Sequence, residues 1–423
     1  MTGAAAITGL GAVSGFGLGV DALWQGLIAG ETALLARPDG AALGIGDLPL
    51  SLVPLPTSEG EPARPAQASD LRSLQPRATR MSLLAATEAM RDAGLDRILP
   101  LPDHGAGPRL GVCVGTTHGE KAPWLATQRL GADAVAVEPH GPAIPAQRLA
   151  ALVGAQRILV SCAACASGNV ALTSALGWIR RGLCDVVLCG GCDALNDFVL
   201  RGFQSLRALS PIACRPFDAQ RSGLSLGEGA AFLVLESLAH ARARGARVRA
   251  LLTGTGQSCD ANHMTGPDRE GRGAARAIRA AIADAGLASS AIDFVSAHGT
   301  ATLFNDQMEG RALAAVFAER TARLPVHSVK GALGHSMGAA AALEAVVSVR
   351  ALEAQRVPAT VGLQTPDPAI PLCLVQGQAQ ALAIRHIVST ASGFGGLNAA
   401  VILSAASSPM DSTAGLGRSE AQP

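Results

Sequence analysis

Apolar positions along the chain come in two kinds of run. Short, unbroken runs of β-branched, leucine and small residues predict buried strands at Ala4 to Thr8, Leu110 to Gly115, Ile158 to Val160, Ala230 to Leu235, Phe294 to Ala297 and Ala399 to Leu403. Longer runs predict helices over about Gly19 to Ala29, Thr79 to Ala93 and Asn169 to Arg181. The last of these ends in Arg180, Arg181 and Gly182, a basic final turn and a glycine stop. Glycines crowd the end of the first strand, so a turn is expected there. Residues 36–80 and 117–147 are rich in turn formers and predict irregular excursions. The tail after Ser404 has no periodicity and reads as disordered.

These elements recur. Asp92-Ala93-Gly94-Leu95 ends a helix and leads to the strand finishing at Gly115-Thr116; Asp284-Ala285-Gly286-Leu287 ends a similar helix before Phe294 to Ala297 and His298-Gly299-Thr300. Each half then carries a small-residue turn opening an apolar helix, Cys165-Ala166-Ser167-Gly168 and His335-Ser336-Met337-Gly338. Each closes on a glycine-rich turn and a strand, Gly227-Glu228-Gly229 with Ala230 to Leu235 and Gly393-Phe394-Gly395-Gly396 with Ala399 to Leu403. The period is too long for a solenoid. Two related α/β units packed face to face are expected, residues 1–245 and 246–405, followed by a disordered tail over 406–423.

Composition narrows the class. The chain has 423 residues and a net charge of +1, so nothing in its charge points to nucleic acid or an anionic membrane. Charged residues make up 16%, below the ~25% of an average soluble domain, and aromatic residues only 3%. The core must therefore be built from thin, closely packed elements. Nine cysteines, scattered through apolar stretches, argue against a disulfide scaffold and for a reducing cytoplasm. The uncharged first 20 residues lack a basic start and are broken by six glycines, unlike a signal peptide. The uncharged run Ile158 to Ile179 has polar residues at its centre, where a bilayer would penalise them, and reads as strand, turn and helix.

Cys165 stands between a predicted strand and a predicted helix. Unpaired backbone N–H groups at a helix start stabilise a thiolate and can hold an oxyanion. By itself the residue reads equally well as a nucleophile or as one more small core residue. The repeat changes that balance, because the matching positions of the second half carry His298 and His335. Pseudo-symmetric packing would bring two imidazoles to one thiol. Lys330, one of only two lysines, precedes His335 by five residues, and Glu344 follows by nine, able to pair with Lys330 if the helix folds back. The remaining histidines read as satisfied core or surface residues. Cys162 with Cys165 and Cys189 with Cys192 form two CxxC pairs. A zinc site is disfavoured because a long apolar helix separates them, and a thioredoxin-like pair at Cys162/Cys165 lacks its Trp and Pro surroundings.

The string Val160-Ser161-Cys162-Ala163-Ala164-Cys165-Ala166-Ser167-Gly168 resembles the nucleophile motif of the elongating β-ketoacyl-acyl-carrier-protein synthases. Further matches run from Ile7-Thr8-Gly9-Leu10-Gly11 through Pro216-Phe217-Asp218 and Leu226 to Ala230. They continue through His298 to Thr302 with Asp306 and Glu309, then Lys330 to Gly338, and Gly393 to Gly396 with Asn398, reaching Leu403. The resemblance implies a thiolase fold, an α/β architecture of five α-β-α-β-α layers made from two duplicated halves, acting as a dimer. It implies that Cys165 takes an acyl chain from a carrier thioester, and that His298 and His335 stabilise the enolate of a decarboxylating malonyl thioester. The amides of Cys165 and Phe394 would form the oxyanion hole. Thr300 and Thr302 would bind the pantetheine arm, Phe394 would gate the pocket, and Phe203 would line the acyl tunnel. Lys330 with Glu344 would organise the site around His335, with Asp306 and Glu309 in support. No metal or cofactor is implied beyond the phosphopantetheine arm of an acyl carrier protein.

Several positions depart from that pattern. Ala163 stands where threonine is usual, Ser392 where phenylalanine is common, and Leu303-Phe304 where proline follows the threonine; Gln156 and Arg157 replace a Gly-Pro lead-in. They touch the pocket and gate, and hint at a specialised polyketide or aryl polyene pathway rather than housekeeping lipid synthesis. Other assignments are a non-catalytic chain-length partner of a heterodimer, which usually lacks the nucleophile, and a degradative thiolase. A thiolase needs a second cysteine near the C-terminal glycine turn, whereas Cys373 lies twenty residues before it. An acidic carrier protein calls for an arginine-lined rim, for which Arg207 and, more weakly, Arg201 are candidates.

Overall fold

The structure, a computed structural model, describes residues 3–36, 46–56, 76–96, 107–120 and 141–406. Most of both expected excursions and the tail from 407 onward lie outside the described residues. In the first half, β1 (Ala5–Ser14), β3 (Leu110–Gly115), β4 (Arg157–Ser161), β5 (Val186–Asp193) and β6 (Gly229–Ser237) pair in the order β1-β6-β5-β3-β4, with the two-residue β2 (Gly17–Leu18) against β1. The second half repeats this with β7 (Ala250–Cys259), β8 (Phe294–Ser296), β9 (Pro325–His327), β13 (His386–Gly393) and β14 (Leu397–Ala405), ordered β7-β14-β13-β8-β9 and extended by β11 (Cys373–Leu374). Strands β10 (Arg356–Val357) and β12 (Gln380–Ala381) make a separate ribbon. In each half the strand after the first helix is parallel to both neighbours, and the last two strands are antiparallel. Antiparallel pairing of Ala5–Ile7 with Ala250–Leu252 joins the halves edge to edge.

The helices are α1 (Val20–Ala29), α2 (Arg77–Asp92), α3 (Ala143–Val153), α4 (Ser167–Arg180), α5 (Asp197–Ser205), α6 (Leu238–Ala243), α7 (Arg272–Asp284), α8 (Leu303–Phe317), α9 (Lys330–Leu333) and α10 (Ala340–Ala354). Three apolar clusters define the layers. One packs α2 and α3 on the first half's strands, another packs α7 and α8 on the second half's, and the largest holds α4 and α10 between both. This is the five-layered arrangement of duplicated halves that the resemblance implies. Twelve of the fifteen residues of α10 are buried, as a helix in the middle layer requires. The uncharged run 158–179 resolves into β4, a tight turn and α4; no described helix is long and apolar enough to cross a membrane.

The turn expected at Gly9 is not there. β1 continues to Ser14 with every residue buried, because α2 lies directly on it. A Cβ on Gly9 would stand 2.1 Å from the Ala89 carbonyl oxygen, and one on Gly11 1.8 Å from that of Ala85. The second half does the same: Gly254 and Gly256 on β7 face the carbonyls of Ala281 and Ala277 on α7 at 2.3 and 2.1 Å. These glycines serve close helix–sheet packing, and Thr253-Gly254-Thr255-Gly256 is a further echo of Thr8-Gly9-Leu10-Gly11. Gly11→Ala or Gly256→Ala is expected to destabilise the protein by about 1–3 kcal/mol through overpacking; urea unfolding of either variant checks this, and unchanged stability would refute the packing role.

Candidate active site

β4 delivers Cys165 through a sharp bend. Ala164 takes a left-handed φ of 48° and opens a single 3₁₀ turn, Ala164–Ala166, ahead of α4. The Ser167 hydroxyl ties the bend by accepting from the Ala163 N–H (2.8 Å) and donating to the Ala164 carbonyl (2.6 Å). The second half builds its counterpart at Met337–Ala339, where Met337 has φ 52°. Gly393, at the end of β13, is pressed against the bend: a Cβ there would lie 3.1 Å from the Cys165 amide nitrogen. The Phe394 amide therefore follows directly on a backbone in contact with that of the thiol.

His335 arrives from the other half and is clamped by the first. Its N–H donates to the Ser225 carbonyl (2.7 Å) and its carbonyl accepts from Gly227 N–H (3.1 Å). Its Nε2 lies 2.9 Å from Cys165 Sγ. The ring of His298 stands edge-on to it, 5.3 Å between centroids, and one ligand atom of each of the three residues falls within 4.8 Å of the others. The sequence-predicted trio is thus brought together. Glu309 holds the His298 loop by accepting from the N–H groups of His298 (2.7 Å) and Gly299 (2.8 Å), and Asp306 accepts from Phe217 and Ala301 N–H.

Lys330 does pair with Glu344, at 2.5 Å, but its other contacts are to His298 rather than His335. The ammonium donates to the His298 carbonyl and meets His298 Nδ1 at 3.3 Å. An ammonium has only donors, so Nδ1 accepts and the ring hydrogen sits on Nε2. Burial, reinforced by Lys330, pushes both His298 and His335 well below the usual histidine range, and both are neutral. Burial also lifts Glu344 to about 7 against the pull of Lys330.

The expectation of a stabilised thiolate is overturned. Burial pushes the Cys165 thiol up to about 12, outweighing the opposing pull of Lys330 and of its own backbone N–H. Desolvation of a small anion exceeds what a helix start returns, so the resting Cys165 side chain is a thiol. Its proton has one adjacent acceptor, His335 Nε2.

Cys165, His298 and His335 form the sole metal-ligand-like cluster among the described residues. The donor set does not suit a cation, since the Lys330 ammonium already occupies Nδ1 of His298. The CxxC cysteines do not converge: Cys189 and Cys192 lie buried in β5, and Cys162 is exposed. His327, one of the histidines read as core or surface residues, is fully buried against Phe294, with Nδ1 3.2 Å from the Pro358 carbonyl and no partner for Nε2 among the described residues.

A cavity of about 960 Å³ opens from Cys165, His298 and His335 to solvent. Thr300, Thr302, Phe203 and Phe394 line it, with the two phenylalanine rings 5.9 Å apart. Arg207 lines it too, whereas Arg201, exposed on α5, does not. Two contributors escaped the sequence reading. Asp193, at the end of β5, accepts from Thr116 Oγ1 (2.7 Å), Thr117 N–H (2.8 Å) and Gly338 N–H (2.7 Å), so it pins the turn after His335 to the first half. Its only signal is a carboxylate ending an uncharged strand. Thr390 on β13 donates to Glu309 (2.8 Å) and carried no signal at all.

Comparison with known proteins places this geometry in context. Residues 4–241 match the profile of the β-ketoacyl synthase N-terminal domain and residues 249–364 that of its C-terminal domain. A Streptomyces halstedii protein described as a polyketide β-ketoacyl synthase is 37% identical, over 94% of this chain and 97% of its own length. The 3-oxoacyl-[acyl-carrier-protein] synthase 2 of Coxiella burnetii is 34% identical, over 94% and 97%. Among solved structures, the ishigamide ketosynthase/chain length factor superposes with a TM-score of 0.82 at 33% identity, covering 96% of this chain and 99% of that one. A ketosynthase of a type II polyketide system, solved with its acyl-carrier protein, gives 0.83 at 28% identity, covering 95% and 99%.

Two outcomes follow from the electrostatics. Because the Cys165 pKa is raised, its thiolate stays a minor species at neutral pH; alkylation by iodoacetamide is expected to climb about tenfold per pH unit from about pH 7 to about 10, and a plateau by pH 9 would contradict this. Lys330→Met leaves Glu344 unpaired in the interior and is expected to cost about 3–5 kcal/mol in urea unfolding, most of it recovered when Glu344→Leu is added.

Proposed function

The chain belongs to the β-ketoacyl synthase family, and from that premise we propose that it catalyses the decarboxylative condensation of a malonyl-carrier thioester with an acyl chain held on Cys165. The observation that carries this reading is the 2.9 Å approach of His335 Nε2 to Cys165 Sγ, in a cavity shared with His298. In the first step Sγ attacks the acyl thioester, its proton passes to His335 Nε2 and thence to the departing carrier thiol, and a Cys165 thioester remains. In the second, Cys165 no longer carries a proton to give and the neutral His335 ring holds its hydrogen on Nε2; the malonyl thioester loses carbon dioxide, and the electron pair left behind forms an enolate whose oxygen accepts from the Nε2–H groups of His298 and His335. Neutral imidazoles suit this task because they donate without first having to be charged in a dry site. The enolate carbon then attacks the acyl-cysteine carbonyl. The N–H groups of Cys165 and Phe394 hold the oxyanion, and its collapse expels Cys165 as a thiolate, which takes up one proton from solvent to restore the thiol.

Thr300 and Thr302 are assigned to the pantetheine arm, Phe394 to gating and Phe203 to the acyl tunnel. Lys330, Glu344, Asp306 and Glu309 are positioning residues. The reaction needs no cofactor beyond the carrier arm. We assign the duplicated units to residues 1–245 and 246–405, and the partner protein to an acyl carrier protein approaching Arg207, with Arg201 nearby. A dimer, with a second copy or a related synthase subunit, is supported by β4. Among the described residues that strand pairs on one side only, and Ile158 on it is 47% exposed. The polyketide relatives favour a polyketide or aryl polyene product over a fatty acid, in the cytoplasm. A non-catalytic chain-length role is the weaker alternative, since nucleophile and both histidines are present.

Incubation with acyl-carrier proteins followed by intact-mass measurement is expected to add one acyl group to the wild type and none to Cys165→Ala, which loses condensation altogether. An undiminished condensation rate in that variant would refute the assignment.

A further inference from the structure

The mouth of the cavity holds a pair of side chains with no role so far. Phe304, in the first turn of α8, is 46% exposed, and the Arg269 guanidinium lies over its ring at 4.5 Å; both line the cavity. Phe304 belongs to the Leu303-Phe304 step that departs from the family's proline. The acidic residues flanking Arg269 in sequence are engaged elsewhere: Asp268 with Arg272 at 2.8 Å and Glu270 with Arg311 at 3.3 Å. Arg311 also donates to the Arg269 carbonyl (2.8 Å), fixing the backbone beneath the side chain.

A guanidinium stacked on an aromatic face spends that face and keeps its N–H donors at the edge, in the plane that suits a bidentate oxyanion. Of the parts of a carrier-bound substrate, the arm's phosphodiester alone carries a fixed negative charge at the end remote from the thioester. With the thioester at Cys165 and the arm threaded past Thr300 and Thr302, that group reaches the mouth. The geometry points to Arg269, stacked on Phe304, as the specificity-determining residue that binds the phosphate of the phosphopantetheine arm. This rests on the proposed function for the identity of the arm.

Calorimetric titration of the full chain with phosphopantetheine and with pantetheine tests it without requiring turnover. The wild type is expected to bind the phosphorylated arm about tenfold more tightly, as a charge-assisted pair allows. In Arg269→Ala that preference disappears, and in Arg269→Lys, which keeps the charge but not the planar fork, it is partly retained. Phe304→Leu, which removes the stacking surface but preserves bulk, reduces it. Equal binding of the two compounds by the wild type, or a preference that survives Arg269→Ala, overturns the proposal. Failure of the condensing reading is distinct: it appears as the absence of a Cys165 acyl adduct, whatever the titrations give.

Discussion

A thiol and two imidazoles meet here because two half-sheets enclose one shared pair of helices. Cys165 stands at the head of α4 and His335 just ahead of α10, and those helices lie side by side in the middle layer. Their approach is set by small residues. A Cβ on Gly168 would come within 2.8 Å of the Ala342 backbone nitrogen, and one on Gly338 within 2.6 Å of Thr116 Cα. Larger side chains at these contacts would hold the helices apart and open the 2.9 Å contact between sulfur and imidazole. The scarcity of aromatic residues and the wealth of alanine and glycine are thus the compositional signature of the site's geometry.

Burial then dictates the chemistry. Burial moves four central groups toward their neutral forms, the Cys165 thiol and the Glu344 carboxyl upward and the His298 and His335 imidazoles downward. Lys330 lies within a hydrogen bond of Glu344, the partner a buried lysine needs. Its ammonium, anchored on Nδ1 and the carbonyl of His298, converts an otherwise ambiguous imidazole into a donor aimed into the cavity. Neutral imidazoles and a protonated thiol leave the cavity face of the cluster uncharged at rest.

The rim is organised on different terms. Phe203, Phe394, Phe304 and Arg269 are partly exposed there, and Phe304 departs from the family pattern, whereas Cys165, His298 and His335 keep to it and are buried. Ser392, another departure, donates to Asn398 Oδ1 at 2.8 Å, and Asn398 in turn donates to Asp260, so the β13–β14 hairpin is clasped to the loop that leads to Arg269. The Cys-His-His cluster lies in the dry interior, and the rim side chains meet solvent, where a substitution costs little stability.

Much of this was legible in the residues alone. Ordered motifs and a repeated helix–strand–turn pattern identified the duplication, the strand-to-helix placement of Cys165, and His298, His335, Lys330 and Glu344, because local signals such as run length, glycine stops and motif spacing survive without coordinates. What only the tertiary structure decided depends on distance through space. Gly9 and Gly11 read as a turn until α2 is seen lying on β1. Lys330 addresses His298 and not His335 because of how α9 turns. Asp193 joins the site only because β5 ends beside the opposite half's turn. The protonated state of Cys165 is decided the same way. A helix start is visible in sequence, but the depth of burial that overrides it is a property of five packed layers.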